Sequence, residues 1–573
     1  MDAFRETLDV VENGEDLAST AEHRMVADSL VAYLRQFGIR HAFGVSGAAM
    51  ANLWRAMSVA LDVVHFRHEA GAAFAAAEAY FATGVPVVVF TTTGPGITNA
   101  LTGILAARDD GAKVILVSAY TAAPQRGRGC IQETSGQTFP VDGLFTPGAL
   151  MDYACVIEHP GQLPQVARRV AHGLARKGGF VAHLCLPSDV QRLPGVPVPS
   201  PTLLVANDLP GEELLERCAN VLRDGSFAIW VGFGAREAAA PIRELAERSG
   251  AAVMCSPRGK GIFPEDHPQF VGVTGLAGHA SVFEYMAREQ PERILVLGTR
   301  LGEPTSFWNR ALVPSKGFIH VDINPDVPGV AYPDVSTLAV QADIAAFVQA
   351  LVRRLPGRKP IAAIPNPIRP DWGSVPAGDS QRVRPEALMA AIQRKIVDAG
   401  DAIVMAESGN SFTWATRMLR FAEPGRYRVS TGVGAMGHMS AGVVGAALAT
   451  GGKAVAIVGD GAMLMNNEIN TAAKHRVPAV WIVLNDARYN MCFQGLAMLR
   501  MTGPDATFPK ADFVSIAKGM GADAIRVDRE SELDSGLDRA LAASGPFVVD
   551  VQIDAERVAP SGARNHGLAG PSK

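Results

Sequence analysis

Short runs of aliphatic and β-branched residues with almost no polar interruption recur along this chain, each followed by a longer run rich in Ala and Leu. Examples are VPVVVF (85–90), KVILVSA (113–119), FAIWVGFG (227–234), RILVLG (293–298), FIHVDI (318–323), AVAIVGDG (454–461) and PAVWIVLND (478–486). A strand that is apolar on both faces must be covered on both faces, and strands alternating with helices do this in βαβ units. The expected fold class is therefore α/β: three α/β domains with mostly parallel sheets.

Proline sets the number of domains. Two proline-rich stretches, 192–202 and 356–385, the second with seven prolines, interrupt the pattern. Proline removes backbone donors and resists helix interiors and central strands, so these stretches read as extended linkers. They leave three segments, 22–190, 204–354 and 384–560. Hydrophobic residues at 48% against 19% charged supply enough apolar surface for three cores. Lys+Arg of 53 against Asp+Glu of 57 gives 53 − 57 = −4, so no basic excess points to nucleic acid or to an anionic membrane. Six scattered cysteines with no C-x-x-C read as buried thiols in a reducing compartment. The acidic amino terminus does not read as a signal peptide, and no apolar run is long enough to span a membrane. A cytoplasmic protein is expected.

The densest chemistry lies in the third segment. Strand AVAIV ends in Gly459-Asp460-Gly461, and strand VWIVL ends in Asn485-Asp486. Parallel strands finish on one edge of a sheet, where ligands bind. Glycines flanking an acid allow close backbone approach to a phosphate, and hard oxygen donors suit Mg²⁺ bridging to a diphosphate. A plain strand–turn–helix with Asp460 as a cap is the alternative. Gly432-Val-Gly434-Ala-Met-Gly437 also spells G-x-G-x-x-G after a short strand, which keeps a nicotinamide or flavin reading open.

The first segment adds a complementary edge. Strand LDVVHF is followed by Glu69 and the small-residue helix AGAAFAAAEAYFATG, which would let another element or a ligand approach closely. A second strand, VVVF, runs into Thr93-Gly94-Pro95-Gly96.

Glu69 after a strand, TTTGPGITN, Gln132-Glu133, a central α/β segment and GDG…LND, in that order, resemble thiamine-diphosphate (ThDP) enzymes of the acetolactate-synthase (acetohydroxyacid-synthase) type over about residues 25–555. The resemblance implies an order of pyrimidine-binding, central and diphosphate-binding domains. It makes Glu69 the acid that hydrogen-bonds the aminopyrimidine ring, and places Gln132 at the reaction centre. The implied cofactor-binding set comprises Gly94 and Asn99, then Gly434, Met436 as the wedge that bends the cofactor, Gly459, Asp460, Gly461, Ala462, Asp486, Arg488, Tyr489 and Asn490. Asp460, Asp486 and the Arg488 carbonyl would hold Mg²⁺. His438 is expected to shuttle protons, and Arg128, Met491, Phe493, Gln494 and Gly495 to line the substrate pocket. Arg126, close to Gln132, is a second arginine able to grip a substrate carboxylate. The family's sites form between subunits, which implies a homodimer or homotetramer. Its non-redox FAD site resembles 231–236, 272–280, 298–304 and 320–325, with Arg300 as an FAD neighbour, so FAD stays open.

Three departures carry information. Asp486 stands where the family usually has Asn, leaving Asn485 or Asp486 as the metal ligand. The stretch from Gly461 to Asn485 is one residue short. Gly495 replaces the Trp of the Gly-Met-x-x-Gln-Trp pattern, and Asn490 replaces its first Gly. Loss of an indole opens volume, which points to a larger, aromatic acceptor or donor. A further likeness, to the acetolactate-synthase homologue of scytonemin biosynthesis, points the same way.

The expected activity is ThDP-dependent decarboxylation of a 2-oxo acid followed by carboligation to a second carbonyl. A simple 2-oxo acid decarboxylase and a non-catalytic ThDP-fold homologue are the alternatives.

Overall fold

The structure, a computed structural model, describes residues 24–198, 208–355, 368–376 and 380–561. The acidic amino-terminal stretch, the 199–202 end of the first proline-rich stretch and half of the second lie outside the described residues. Three six-stranded sheets form within them, with parallel pairing between named neighbours.

In the first sheet, β1 (His41–Val45), β2 (Asp62–His65), β3 (Val87–Thr91), β4 (Lys113–Tyr120), β5 (Tyr153–Val156) and β6 (Phe180–Pro187) lie in the order β2-β1-β3-β4-β6-β5. The central sheet holds β7 (Phe227–Val231), β8 (Val253–Cys255), β9 (Phe270–Val273), β10 (Arg293–Leu297), β11 (Phe318–Asp322) and β12 (Thr337–Gln341), ordered β12-β11-β10-β7-β8-β9. The third holds β13 (Ile403–Ala406), β14 (Tyr427–Arg428), β15 (Ala454–Gly459), β16 (Ala479–Asn485), β17 (Asp523–Val527) and β18 (Phe547–Gln552), ordered β14-β13-β15-β16-β18-β17. The first and third sheets thus repeat one strand order. The apolar runs are buried as their composition requires: β3, β7 and β16 are buried at every residue.

The partner of the small-residue helix Glu69–Thr83 is a second small-residue helix, His438–Thr450, which follows β14 as the first follows β2. A Cβ on Gly445 would stand 2.0 Å from the Ala75 carbonyl oxygen, and one on Gly442 2.7 Å from Glu78 Cγ. Alanines 72, 75 and 76 share one core with Val443, Val444 and Ala447, so the two outer domains bury apolar surface against each other.

A charged junction joins all three domains beside these helices. Helix Pro95–Asp110 ends on Asp109 and Asp110, the unfavourable sign for a helix C-terminus. Arginines from the other domains offset it. Arg300 Nη1 donates to Asp109 at 2.6 Å, Arg258 pairs with Asp110 at 3.1 Å, and Arg428 lies 4.0 Å from Asp110. Arg428 also grips Glu78 with two hydrogen bonds of 2.7 Å.

All six cysteines are free. Among the described residues no helix is long and apolar enough to cross a membrane.

Candidate functional site

In the third sheet Gly459 is in register with Leu484, so β15 and β16 release Asp460 and the Asn485-Asp486 pair at one edge. Asp460 opens the short helix Asp460–Met465, and backbone amides hold its carboxylate. Gly461 N donates at 2.8 Å, Asp486 N at 3.1 Å and Ala487 N at 2.6 Å. Asp486 accepts from Asn490 Nδ2 at 2.6 Å. Asn485 points elsewhere: its amide donates to Asp550 at 2.8 Å and to the Ala511 carbonyl at 3.0 Å. Of the two candidates it is therefore Asp486 that converges on Asp460.

Electrostatics mark the same spot. Burial pushes Asp460 up to about 6 against the pull of its amides, and burial together with the Asp460 charge pushes Asp486 up to about 7. Asn490 Oδ1 is buried without a hydrogen-bond partner. The backbone on either side of Arg488 pairs with 506–508 through Tyr489 N to Ala506 O and Phe508 N to Ala487 O, and neither bond uses the Arg488 carbonyl. Two mutually repelling carboxylates, an unpartnered amide oxygen and a neighbouring carbonyl form a set of hard oxygen donors that fits a divalent cation. Gly459 and Gly434 face open space, and Gly434 has the left-handed φ of 61° that glycine tolerates. Gly461 is instead covered by the Tyr489 ring, whose Cε1 lies 2.6 Å from where a Cβ would sit. Ala462 is buried, and Met436 is half-buried in the loop before helix His438–Thr450.

The first-domain edge assembles a second group. Glu69 begins its helix with a buried carboxylate that accepts from Asn99 Nδ2 at 3.1 Å. Gly94 has φ 58° and donates its amide to Thr134 Oγ1 at 2.7 Å. Gln132, exposed and itself at φ 54°, lies over it, with its Cβ 3.2 Å from the position of a Gly94 Cβ. Among the described residues no hydrogen bond or ion pair joins Glu69, Asn99 or Gln132 to Asp460, Asp486 or Asn490.

Several sequence expectations meet a different environment. His438 is buried between the two small-residue helices, its Nε2 3.1 Å from Glu78 and its ring stacked on Phe74 at 4.7 Å. Its Nε2 thus bridges the domains, while its Nδ1 is buried without a hydrogen-bond partner. Glu78, Asp110 and His438 bring ligand atoms within 4.8 Å of one another, but Arg428 and Arg258 already supply the positive charge there. Gln494 spends its amide on the Arg557 carbonyl and on Ala559 N, and so ties down the 557–559 segment. Arg126 is held bidentately by Glu158, at 2.8 Å twice, whereas Arg128 is exposed with only the Pro124 carbonyl at 3.3 Å. Met491 is half-buried, Phe493 is exposed with its ring 4.7 Å from the Arg488 guanidinium, and Gly495 is buried.

The dinucleotide alternative loses its anion site. Gly432 is covered by the Asp109 carboxylate, and the first amides of helix His438–Thr450, those of Met439 and Ser440, are taken at 2.9 and 3.0 Å by the buried carboxylate of Glu407. In the central domain Gly234 and Gly298 pack backbone to backbone, and Arg300 is committed to Asp109. Arg300, the arginine matched to the flavin, is therefore already paired within the protein.

An oxygen-donor cluster at the carboxyl edge of one parallel sheet, with a buried acid at the matching edge of a second, defines a cofactor-dependent enzyme of diphosphate-binding type. Comparison with known proteins makes this specific. Three domain profiles of thiamine pyrophosphate enzymes match in succession: the N-terminal TPP binding domain over residues 24–139, the central domain over 218–351 and the C-terminal TPP binding domain over 407–551. The chain belongs to the thiamine-diphosphate-dependent enzymes, in an acetolactate-synthase-like family. It is similar to the large subunit of acetolactate synthase isozyme 1 of Escherichia coli K12, at 27% identity over 581 residues, covering 96% of this chain and 99% of that one. It is also similar to the chloroplastic acetolactate synthase 1 of Zea mays, at 26% identity over 92% and 85% of the two chains. Among solved structures, the thiamine diphosphate-dependent 4-hydroxybenzoylformate decarboxylase of Rhodococcus jostii RHA1 shares the fold, with a TM-score of 0.80 at 20% identity over 93% of this chain and 99% of that one.

Proposed function

We propose that the chain decarboxylates a 2-oxo acid and joins the remaining fragment to a second carbonyl compound, using thiamine diphosphate and Mg²⁺. The observation that carries this reading is the convergence of Asp460 and Asp486, the latter held by Asn490, at the edge where β15 and β16 end. Asp460, Asp486 and the Arg488 carbonyl would hold the metal, with Asn490 orienting Asp486. Gly459 and Gly434 leave room for the diphosphate, Gly461 and Ala462 back it beneath the Tyr489 ring, and Met436 supports the bend of the cofactor. Glu69, restrained by Asn99, holds or gives a proton at the aminopyrimidine ring, and Gly94 keeps Gln132 over the reaction centre. Bound in this way, the cofactor supplies the electron sink for breaking the carboxyl–carbonyl bond. FAD is no part of this proposal, because Arg300, which the resemblance sets beside it, is paired with Asp109.

The resemblance to acetolactate synthases supports a homodimer, or a dimer of dimers, as the working unit. Similarity to acetolactate synthases over nearly the whole chain supports ligation. Arg128, exposed on the loop before Gln132, would meet a substrate carboxylate, and Met491, Phe493 and Gly495 would line the pocket. Gly495, without a side chain where the resemblance expects Trp, supports a larger and aromatic substrate. The test is CO₂ release and product mass spectra with ThDP and Mg²⁺, supplying pyruvate, phenylpyruvate, 4-hydroxyphenylpyruvate and indole-3-pyruvate singly and in pairs. A coupled product containing an aromatic acid is expected. Aldehyde alone would make the protein a simple decarboxylase, and pyruvate-only coupling would remove the aromatic reading.

A further inference from the structure

We infer that Glu468, which no motif points to, is a positioning residue for Glu69; the inference rests on the role proposed for Glu69 above. Glu468 belongs to the third domain, just past helix Asp460–Met465, yet its carboxylate reaches into the first. It is 4% exposed and accepts from Arg67 N at 3.2 and 3.0 Å and from His68 N at 3.1 Å, with the Thr471 hydroxyl donating to the same group. Arg67 and His68 are the two residues immediately before Glu69, where helix Glu69–Thr83 starts. Amides at a helix start lack intrahelical partners, and a carboxylate there both satisfies them and complements the helix dipole.

Three further features belong to the same clasp. Arg67 Nε donates to Asn470 Oδ1 at 2.8 Å, a second tie from the turn before Glu69 to the segment carrying Glu468. Gly71 leaves the space the clasp occupies: a Cβ there would stand 2.6 Å from Glu468 Oε1 and 2.9 Å from Asn466 Oδ1. Glu468 itself has φ 50° and ψ 22°, a left-handed conformation that costs a non-glycine residue about 1 kcal/mol or more. Such strain persists where surrounding contacts over-determine it, and the contacts here are those to Arg67 and His68.

The rest of helix Glu69–Thr83 is held by packing against His438–Thr450, so losing the Glu468 charge leaves the domains docked. What changes is the first turn, where Glu69 keeps only its contact with Asn99. A small displacement of a proton-handling group costs rate far more than it costs binding.

The test compares wild type, Glu468→Gln and Glu468→Asp as full-length protein loaded with ThDP and Mg²⁺. Three quantities are measured: deuterium exchange of the thiazolium C2 proton after acid quench, ThDP affinity, and kcat and KM for the 2-oxo acid. Glu468→Gln is expected to slow exchange and kcat together by about tenfold or more, with ThDP affinity and KM within about twofold, and Glu468→Asp to recover part of the loss. Wild-type exchange and kcat in Glu468→Gln, or a slowing fully explained by lost ThDP, would overturn the inference. If Glu468→Gln does not fold, Thr471→Val removes one donor and leaves the charge; a few-fold slowing supports the inference and an unchanged rate overturns it. Exchange in the wild type no faster than in free cofactor would instead remove the role of Glu69 itself.

Discussion

Glu78→Gln tests how the charged junction holds the outer domains together. Glu78 is fully buried, accepts two hydrogen bonds from Arg428 and lies 3.1 Å from His438. Burial alone would raise its pKa, but the Arg428 guanidinium and the His438 contact outweigh burial and hold it at about 2 against an ordinary value of 4.5. The difference of about 2.5 units corresponds to about 3 kcal/mol of folding stability. The folded-state value is depressed, so this contribution is complete above pH 4.5 and lost as pH falls through 2. Between those limits it declines by about 1.4 kcal/mol per unit, leaving about 2 kcal/mol at pH 3.5. A neutral Gln at this position cannot follow that slope. Urea unfolding read by tryptophan fluorescence is a suitable assay, because buried Trp481 donates to the Ser440 carbonyl on the helix that Glu78 faces. Wild type should exceed Glu78→Gln by about 3 kcal/mol at pH 7, with the gap shrinking toward pH 3.5. Equal midpoints at pH 7, or a gap that widens in acid, would refute the reasoning.

Gly445→Ala should destabilise the pairing of the two small-residue helices by about 1–3 kcal/mol, because its Cβ would meet the Ala75 carbonyl, which cannot step aside; the urea midpoint reads this directly. Asp460→Ala should weaken Mg²⁺-dependent ThDP binding by at least about tenfold, measured by titration calorimetry, while the far-ultraviolet circular dichroism stays unchanged. Glu69→Gln should retain ThDP and lower kcat by about 10²-fold or more, measured as CO₂ release. Gly495→Leu should narrow the substrate range, reducing turnover of indole-3-pyruvate more than of pyruvate in the same assay.

The sheets were legible because strands buried on both faces spell themselves out locally, as AVAIV and VWIVL do for β15 and β16. The carboxylate edge was legible for the same reason: Asp460 and Asp486 follow adjacent parallel strands, and no long-range information is needed to bring them together. What sequence could not show was which polar groups are already spent on distant partners. His438 meets Glu78 across 360 residues, and Glu468 meets Arg67 across 401. Arg126 finds Glu158, Gln494 finds Ala559, and Arg300 finds Asp109, each through tertiary packing alone. Glu468 carried only a faint signal, an acid just downstream of Gly459-Asp460-Gly461 in a stretch one residue shorter than the resemblance expects. The small residues of helix Glu69–Thr83 spell a close-approach surface, and those of its partner His438–Thr450 do the same, but nothing local pairs the two.

The repeated strand order of the first and third sheets lets one topology present two different edges on a single polypeptide. Corresponding helices, Glu69–Thr83 and His438–Thr450, join the two sheets, while the turns after corresponding strands differ: after β3 the chain carries Thr93-Gly94-Pro95-Gly96, without charge, and after β15 it carries Gly459-Asp460-Gly461. One edge thus offers carboxylates suited to a cation and the other an acid at the start of a helix.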